Sequence, residues 1–479
     1  MTGGSILLII IAYFSSLLVV SWFSSRNANN QSFFIGNRKS PWLVVAIAMV
    51  GTLLSGVTFI SVPGWVASSS FSYMQMVLGY FAGYMVIAHV LLPLYYRLNL
   101  TSIYSYLQTR FGNYSYKTGA SFFLLSRSIG SAFRLFLVAN VLQVMAFDRM
   151  GIPFYITVFF AIMLIWLYTN KGGIKTVIWT DTLQAFFMIS AAILIVVFIS
   201  NSMGLSFSSM FTTIKESGYA KIFFFDDWRD EKYFIKQFLS GAFICIVMTG
   251  LDQDMMQKNL SCSSLKNAQK NMYLFSFALI PVNLLFLMLG ALLYTYAIQT
   301  GITLPQNGDD LFPLVAVSPN IPHFITVVFI LGLIAAAYSS ADSSLTALTT
   351  SFTLDILNGD RLPENKLLII RKRVHIAISL IMYIIILFFK AINNQSVISA
   401  IFTVAGYTYG PLLGMYAFGL FTNYSVKDKW VPYFAIISPI LCFALNHFSP
   451  MLFNNYRFGY ELLIVNGFFV FCGLFFIRR

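Results

Sequence analysis

The chain has 479 residues, of which 58% are hydrophobic and only 10% are charged. These are too few charged side chains to cover a soluble protein of this length, so the composition predicts a polytopic membrane protein. The net charge of +13 does not indicate a nucleic-acid-binding protein, because the basic residues lie in short loops between apolar runs.

Thirteen apolar segments have about the length of 20 residues that a membrane span needs. They run over 5–24, 41–66, 72–96, 118–147, 152–170, 176–200, 237–257, 271–298, 322–346, 374–391, 397–421, 431–448 and 459–477. The first segment lacks a basic leading region and a cleavage site, so we predict a retained helix rather than a signal peptide.

The loop charges predict the orientation of these spans. If the N-terminus is outside, inner loops hold twenty basic residues, Lys258 among them, and the outer side holds eight. Arg127 and Arg134 fall within a span. By the positive-inside rule we expect a multi-pass protein of the cell's inner (plasma) membrane, with the N-terminus outside and the C-terminus cytoplasmic.

Two spans contain residues that weaken a helix. The stretch AIAMVGTLLSGVTFISVPGW at 46–65 holds two glycines followed by Pro63 and Gly64, and LSGAFICIVMTGLDQD at 239–254 repeats the theme five spans later. Broken backbone at membrane depth is tolerated only beside protein or water, and such a pair indicates a transporter built from inverted repeats. The alternative is the ordinary tolerance of transmembrane helices for glycine, since no residue identity reveals the repeat.

The ninth span continues into an unusually polar stretch, LGLIAAAYSSADSSLTALTTSFTLDIL at 331–357. Ala336, Ser339, Ser340 and Ser343 follow helical spacing and share one face. Asp342 has no reason to face lipid, because a charge at the bilayer centre costs roughly 3 kcal/mol or more. The face therefore suits either close helix packing or a small ligand that prefers oxygen atoms.

Five stretches together carry a resemblance to a known family: 64–112, GGIKTVIWTDTLQA at 172–185, GLDQDMMQ at 250–257, 335–356 and GYTYGPLLGMYAFGLF at 406–421. They resemble the sodium:solute symporters, which have a leucine-transporter-type inverted-repeat fold. The resemblance implies an all-α polytopic membrane protein with about thirteen transmembrane helices. Two inverted five-helix repeats with broken first and sixth core helices are expected, with one extra N-terminal and two extra C-terminal helices. The expected boundaries are 1–40 for the N-terminal helix and inner loop, 41–200 for the first repeat, 201–236 for an outer loop, 237–421 for the second repeat and 422–479 for the C-terminal helices.

The resemblance also implies sodium sites. The family's main site matches carbonyl groups of Gly51, Leu54 and Ala336 and the hydroxyls of Ser339 and Ser340, and oxygen ligands of this kind suit a hard cation. A second cation site would use Asp181, Asp342 and Ser343. This chain has an acid at 342 where some members have serine, so a proton or an arginine partner, Arg127 or Arg134, are the alternatives.

The substrate is expected at the midplane, against the broken helices. Arg134 either recognises an anionic substrate or is a structural partner of Asp181 or Asp342, and we favour the structural role slightly. Asp252 and Asp254 are expected to pair with inner-loop lysines, as a gate or as a solvated helix end. The residues that match the family's substrate positions are Ser55, Thr58, Gln75, Tyr407, Thr408 and Tyr409.

The predicted function is sodium-coupled symport by alternating access, importing a small organic solute such as a sugar, sialic acid, amino acid or carboxylate. An enzyme is not expected, because the four histidines are scattered and make no metal spacing. A transporter-like sensor and a proton-coupled symporter remain alternatives. Expected partners are the solute, Na+ and the lipid bilayer, with no nucleic acid; a monomer is plausible, but the sequence leaves the oligomeric state open.

Overall fold

The computed structural model of the protein describes residues 3–26, 28–392, 397–454, 456 and 458–479. The regular secondary structure of this part of the chain is helical apart from two single bridges, Ser40–Cys262 and Val426–Arg478. The α-helices are α1 Gly3–Ser24, α2 Asn30–Ile35, α3 Trp42–Leu53, α4 Val62–Ser69, α5 Tyr73–Val86, α6 Leu92–Arg97, α7 Ser105–Arg110, α8 Asn113–Leu142, α9 Phe154–Thr169, α10 Ile174–Ser202, α11 Phe207–Glu216, α12 Phe234–Cys245, α13 Gln253–Leu260, α14 Leu265–Gln299, α15 Leu311–Ala316, α16 His323–Ser351, α17 Glu364–Ile392, α18 Val397–Thr408, α19 Gly410–Phe421, α20 Val431–Leu452 and α21 Leu462–Phe476.

Eight helices of the described residues are long and apolar enough to cross a membrane, or up to ten if each of two bent pairs counts as one span. Three shorter apolar helices, Phe154–Thr169, Gly410–Phe421 and Leu462–Phe476, lie where the sequence predicts further spans. The membrane class is therefore confirmed, whereas the count of thirteen spans stays a prediction.

The two bent pairs are the broken helices that the glycine pattern predicts. The first pair, Trp42–Leu53 and Val57–Ser69, bends by 59°, and the second, Phe234–Gly250 and Gln253–Leu260, bends by 64°. In the first, Leu54 leaves helical geometry with φ −71° and ψ 61°. In the second, Asp252 is extended and its side chain caps the start of α13, which gives the new helix a proper N-terminus.

Two glycines let α5 and α12 lie with their backbones in contact. A Cβ atom on Gly79 would lie 2.1 Å from the carbonyl oxygen of Phe238, and one on Gly241 would lie 2.2 Å from that of Met76. Neither position has room for any side chain, as at other close crossings of transmembrane helices. This contact fixes the second broken helix against the helix that follows the first.

The helices around α16 form the centre of the molecule. Every residue from Ser339 to Ser351 is buried. Helix α10 packs against both α16 and α3, and α8 packs against the other side of α16. The polar stretch of the sequence is therefore enclosed by protein, where its hydroxyls and its acid meet other side chains rather than lipid.

Candidate functional site

The break in the first core helix exposes a backbone carbonyl to a neighbouring helix. The amide of Ser55 donates to the carbonyl of Leu53 at 2.8 Å rather than to that of Gly51, four residues back. The Gly51 carbonyl instead accepts a hydrogen bond of 2.7 Å from the Ser339 hydroxyl of α16. A carbonyl released from its helix in this way is able to serve as a cation ligand.

The residues of the expected main sodium site lie on these two helices. Leu54 lies about one helical turn after Gly51. On α16, Ala336 lies about one turn before Ser339 and Ser340 directly follows it, and all of these residues are buried. Only the contact between Gly51 and Ser339 is a direct hydrogen bond; the Ser340 hydroxyl donates to the Ala337 carbonyl at 3.3 Å. The structure thus brings oxygen atoms from the break and from α16 together in a dry environment, which suits a hard cation.

Asp181 pairs with a lysine, whereas the sequence suggested a sodium ion, a proton or an arginine as the partner. The Asp181 carboxylate lies 2.6 Å from the Lys258 Nζ and accepts a hydrogen bond of 2.8 Å from Thr52. Neither Arg127 nor Arg134 contacts it. Lys258 was assigned to an inner loop, which is wrong: it lies in α13 and is fully buried.

The other residues of the expected second cation site face different neighbours. Asp342 accepts hydrogen bonds from the Tyr168 hydroxyl at 2.9 Å and from its neighbour's backbone amide. The Ser343 hydroxyl instead donates to Asp254 of α13. Asp181, Asp342 and Ser343 thus form hydrogen bonds with different partners, and a second sodium site built from them stays a prediction.

Arg127 forms a buried ion-pair network with the start of α13. Its guanidinium pairs with Asp254, lies 3.7 Å from Asp252 and donates to the Ser344 hydroxyl at 2.9 Å. Tyr409 donates to Asp252 at 2.5 Å. The expected pairing of the two acids with inner-loop lysines is therefore wrong, because these acids are completely buried and meet an arginine of α8.

A cavity of about 80 Å³ lies between the two broken helices. The guanidinium of Arg134 lines it, half-buried, without a hydrogen bond or ion pair to any residue that the structure describes. The slightly favoured structural pairing of Arg134 with Asp181 or Asp342 is therefore wrong. The polar residues that line the cavity are Thr52, Ser55, Thr58, Tyr73, Tyr80, Tyr84, Arg127, Arg134, Thr249 and Asn283.

Four of the expected substrate residues lie away from this cavity. Gln75 is buried under the outer loop, where it donates to the Lys232 carbonyl at 2.9 Å and accepts from the Phe224 amide. Tyr407 faces Asn446 of α20, Thr408 bonds to its own helix, and Tyr409 belongs to the Arg127 network. Of the expected substrate residues, the cavity is therefore lined by Ser55 and Thr58, which the resemblance implied, and by Arg134.

A family model that matches most of the chain identifies its family. The model described as "Sodium:solute symporter family" matches residues 33–426, most of the chain. The chain belongs to the sodium:solute symporter family. It is therefore a sodium-coupled transporter and not an enzyme, as the resemblance implied.

Individual relatives of this symporter are distant but cover nearly all of it. The sodium/sialic acid symporter SiaT of Proteus mirabilis (strain HI4320) is 25% identical over 428 residues, which are 87% of this chain and 84% of that protein. The sodium-coupled monocarboxylate transporter 1 of Homo sapiens is 23% identical over 441 residues, 86% of this chain and 69% of that protein.

A solved structure confirms the fold of the symporter. A Na+-coupled sialic acid symporter in a substrate-bound outward-open state superimposes with a TM-score of 0.84 and 22% identity, over 99% of this chain and 98% of that chain. The nucleobase-cation-symport-1 family transporter Mhp1 in a closed conformation gives a TM-score of 0.60 at 13% identity. The inverted-repeat architecture is thus shared at the level of fold.

Sequence reasoning missed three polar residues of the symporter that the structure places beside the site. Lys258 was counted as a loop residue, Asn283 was not considered, and Tyr168 was not expected to bond with Asp342. A signal existed for Lys258, because it lies one helical turn beyond Asp254 in a segment whose start is capped by Asp252. Tyr168 and Asn283 sit in otherwise apolar runs, where the sequence gives no sign of which face they occupy.

Proposed function

We propose that this symporter imports a small organic anion whose carboxylate is bound by Arg134 in the cavity between the two broken helices. The observation that carries the proposal is that the guanidinium of Arg134, which lines the cavity, forms no hydrogen bond or ion pair with any described residue. A charged group in a poorly hydrated site is costly without a partner, and the planar guanidinium matches a carboxylate with two parallel hydrogen bonds. The nearby Arg127 is not available for this role, because two acids already neutralise it.

The rest of the cavity suits the remainder of a small polar molecule. The cavity is small, about 80 Å³, and its few polar groups lie among apolar side chains, as is usual in sites for small ligands. Ser55 and Thr58 offer hydroxyls from the first broken helix, and Asn283 offers an amide from α14. The names of two relatives, a sialic acid symporter and a monocarboxylate transporter, both describe acids and favour the same substrate class.

Sodium binds, in this proposal, where the Gly51 carbonyl meets the Ser339 hydroxyl, with Leu54, Ala336 and Ser340 completing the oxygen shell. The hydrogen bond of 2.7 Å between Gly51 and Ser339 supports this position, because it joins the first broken helix, which lines the cavity, to α16. An ion at this point would hold α3 and α16 together while the substrate is bound. Release of the ion would then loosen the wall of the cavity, which links sodium movement to substrate movement.

The Arg127 network would close the cavity on one side. It joins α8 to the start of α13 through Asp252 and Asp254, next to the cavity that Arg127 lines. Alternating access requires these ion pairs to separate in one phase of the cycle. With the N-terminus outside, as the loop charges predict, this closed side faces the cytoplasm and transport is import into the cell.

The test is thermal stabilisation of the purified symporter by a panel of small carboxylates. Each acid is compared with its uncharged amide or methyl ester, in sodium and in potassium. We expect an acid to raise the melting temperature more than its amide does, and more in sodium than in potassium, because coupling between the two ligands is reciprocal. Stabilisation by neutral solutes alone would overturn the proposed substrate class.

Variants of Arg134 then locate the carboxylate. Arg134→Gln should abolish the stabilisation by the acid. Arg134→Lys should retain a weakened part of it, because an ammonium keeps the positive charge but cannot form the two parallel hydrogen bonds of a guanidinium. Arg26→Gln, which removes an exposed arginine that stacks on Trp22, is the matched control and should bind like the wild type. Sodium-dependent uptake of the same acid into proteoliposomes separates a symporter from a sensor, which would bind without transport.

A further inference from the structure

Lys258 is the one fully buried lysine among the residues that the structure describes. It lies in α13, where every residue from Gln253 to Leu260 is buried. Its ammonium lies 2.6 Å from a carboxylate oxygen of Asp181 on α10 and donates a hydrogen bond to the Thr52 hydroxyl on α3. Three helices therefore meet at one ammonium group.

The position of this ammonium is next to the proposed sodium site. Thr52 directly follows Gly51, whose carbonyl accepts the hydrogen bond from Ser339. Asp181 and Thr52 present a carboxylate oxygen and a hydroxyl oxygen to the Lys258 Nζ, and these are also the ligand types that sodium accepts. An ammonium and a sodium ion carry the same charge, so one carboxylate has no need of both.

The second buried acid nearby is satisfied without a cation. Asp342 accepts hydrogen bonds from the Tyr168 hydroxyl at 2.9 Å and the Thr180 hydroxyl at 3.4 Å, and from a backbone amide. Ser343, the remaining residue of the expected second cation site, bonds to Asp254 instead. Among the described residues of that site, Asp181 is therefore the one in direct contact with a cation, the Lys258 ammonium, while its second carboxylate oxygen has no hydrogen-bond partner.

We propose that Lys258 is a tethered cation that occupies the second cation position beside Asp181, so that the symporter binds one sodium ion per cycle. The inference rests on the proposed function, because it assumes that the Gly51–Ser339 site binds the sodium ion that moves. Since the ammonium is covalently attached, it neutralises Asp181 in every conformation in which the two remain in contact, and it adds no charge to the ions transported.

The test counts sodium ions on the purified full-length protein without substrate, by equilibrium binding of radioactive sodium. Wild type is expected to bind one ion per chain with an apparent order of one. Lys258→Met removes the ammonium and leaves Asp181, whose other carboxylate oxygen has no hydrogen-bond partner in the described part of the chain. This variant should recruit a second ion, with an apparent order near two.

Two further variants control for charge. Lys258→Arg keeps a cation and should still bind one ion, and Lys258→Met combined with Asp181→Asn removes both charges and should also bind one. Two ions on the wild type, or one ion on a folded Lys258→Met variant, would overturn the proposal. If Lys258→Met does not fold at any sodium concentration, the wild-type count decides.

Failure of this inference is distinguishable from failure of the proposed function. Ser339→Ala should remove or weaken the single wild-type ion if the Gly51–Ser339 site is correct. A wild-type count of two that Ser339→Ala lowers by one would reject the role of Lys258 and keep the main site. A count of one that Ser339→Ala leaves unchanged would reject the main site, and the inference that rests on it. The carboxylate proposal is untouched by either result, since no substrate is present.

Discussion

Ser339 joins the break in the first core helix to the polar helix α16 through one hydrogen bond, to the carbonyl of Gly51. In the middle of a membrane helix a serine hydroxyl usually bonds back to its own helix, as Ser340 does with Ala337. The Ser339 hydroxyl thus makes a contact between two helices, which the Ser340 hydroxyl does not make. The same atom would become a ligand when sodium binds between the two helices.

Ser339→Ala should weaken the activation of uptake by sodium much more than it changes membrane insertion. Losing one oxygen from about five should cost on the order of 1–3 kcal/mol of ion binding, roughly ten- to hundredfold in affinity. The measurement is the sodium concentration that gives half-maximal uptake in proteoliposomes. Ser340→Ala should act in the same direction.

The control for this prediction is Ser276→Ala. Ser276 is equally buried, but its hydroxyl donates to the carbonyl of Tyr273 within its own helix. Its removal should leave sodium activation unchanged. If both Ser339→Ala and Ser340→Ala keep the wild-type sodium dependence, the main site lies elsewhere.

At the scale of elements, two different kinds of contact hold the second broken helix in place. This helix is fixed to α5 through the backbone contact at Gly79 and Gly241, and it is fixed to α8 through the ion pairs of Arg127. At the glycine contact the backbones of α5 and α12 already touch, so these two helices cannot approach each other further. The ion pairs are able to separate, which suits them to a step of the transport cycle.

Gly241→Ala should lower the thermal stability of the folded protein and its yield in the membrane. The added Cβ would lie 2.2 Å from the carbonyl oxygen of Met76, so α5 and α12 must move apart along their contact. We expect a loss of several degrees in melting temperature, measured on protein purified in detergent with and without sodium.

Gly130→Ala is the matched control for this substitution. Gly130 lies in α8, and a Cβ atom there would have nothing within 4 Å. Alanine should be neutral or stabilise the helix by roughly 0.5–1 kcal/mol, because it reduces the conformational freedom of the unfolded chain. Equal behaviour of the two variants would show that the tight crossing of α5 and α12 is not limiting for stability.

For the whole molecule, the distribution of basic residues predicts how the chain sits in the membrane. With the N-terminus outside, the inner loops hold twenty lysines and arginines and the outer side holds eight. Lys258 was counted among the twenty, but the structure places it in the protein interior. The correction lowers the inner count by one and leaves the asymmetry intact. The direction of transport depends on this arrangement, since it decides which compartment meets the Arg127 network.

A reporter fused after Arg479 should behave as cytoplasmic: a fluorescent protein should fluoresce, and alkaline phosphatase should be inactive. The same phosphatase inserted after Gly218 in the outer loop should be active and serves as the control. Gly218 has positive φ and nothing near its Cβ position, so the insertion is expected to be tolerated. A phosphatase active only at the C-terminus would reverse the orientation.

By itself, the sequence determined the membrane class, the positions of both breaks and the helix face that carries Ser339 and Ser340. Hydropathy, glycine and proline, and helical spacing are local properties, and each acts within a few residues of the chain. The resemblance added the family, and with it the pairing of Gly51 with Ser339. The breaks and this pairing agree with the structure, at 59° and 64° for the breaks and 2.7 Å for the hydrogen bond.

Only the tertiary structure decided which charged side chains meet. Asp181 and Lys258 lie 77 residues apart, and Arg127 and Asp254 lie 127 apart, so no local pattern links them. The sequence offered Arg127 and Arg134 as partners for Asp181, because depth along a span is readable from a sequence. The rotation of each helix about its axis is not readable there, since it follows from packing against all neighbours at once. That rotation directs Lys258 to Asp181, turns Asp342 to Tyr168 and leaves Arg134 facing the cavity.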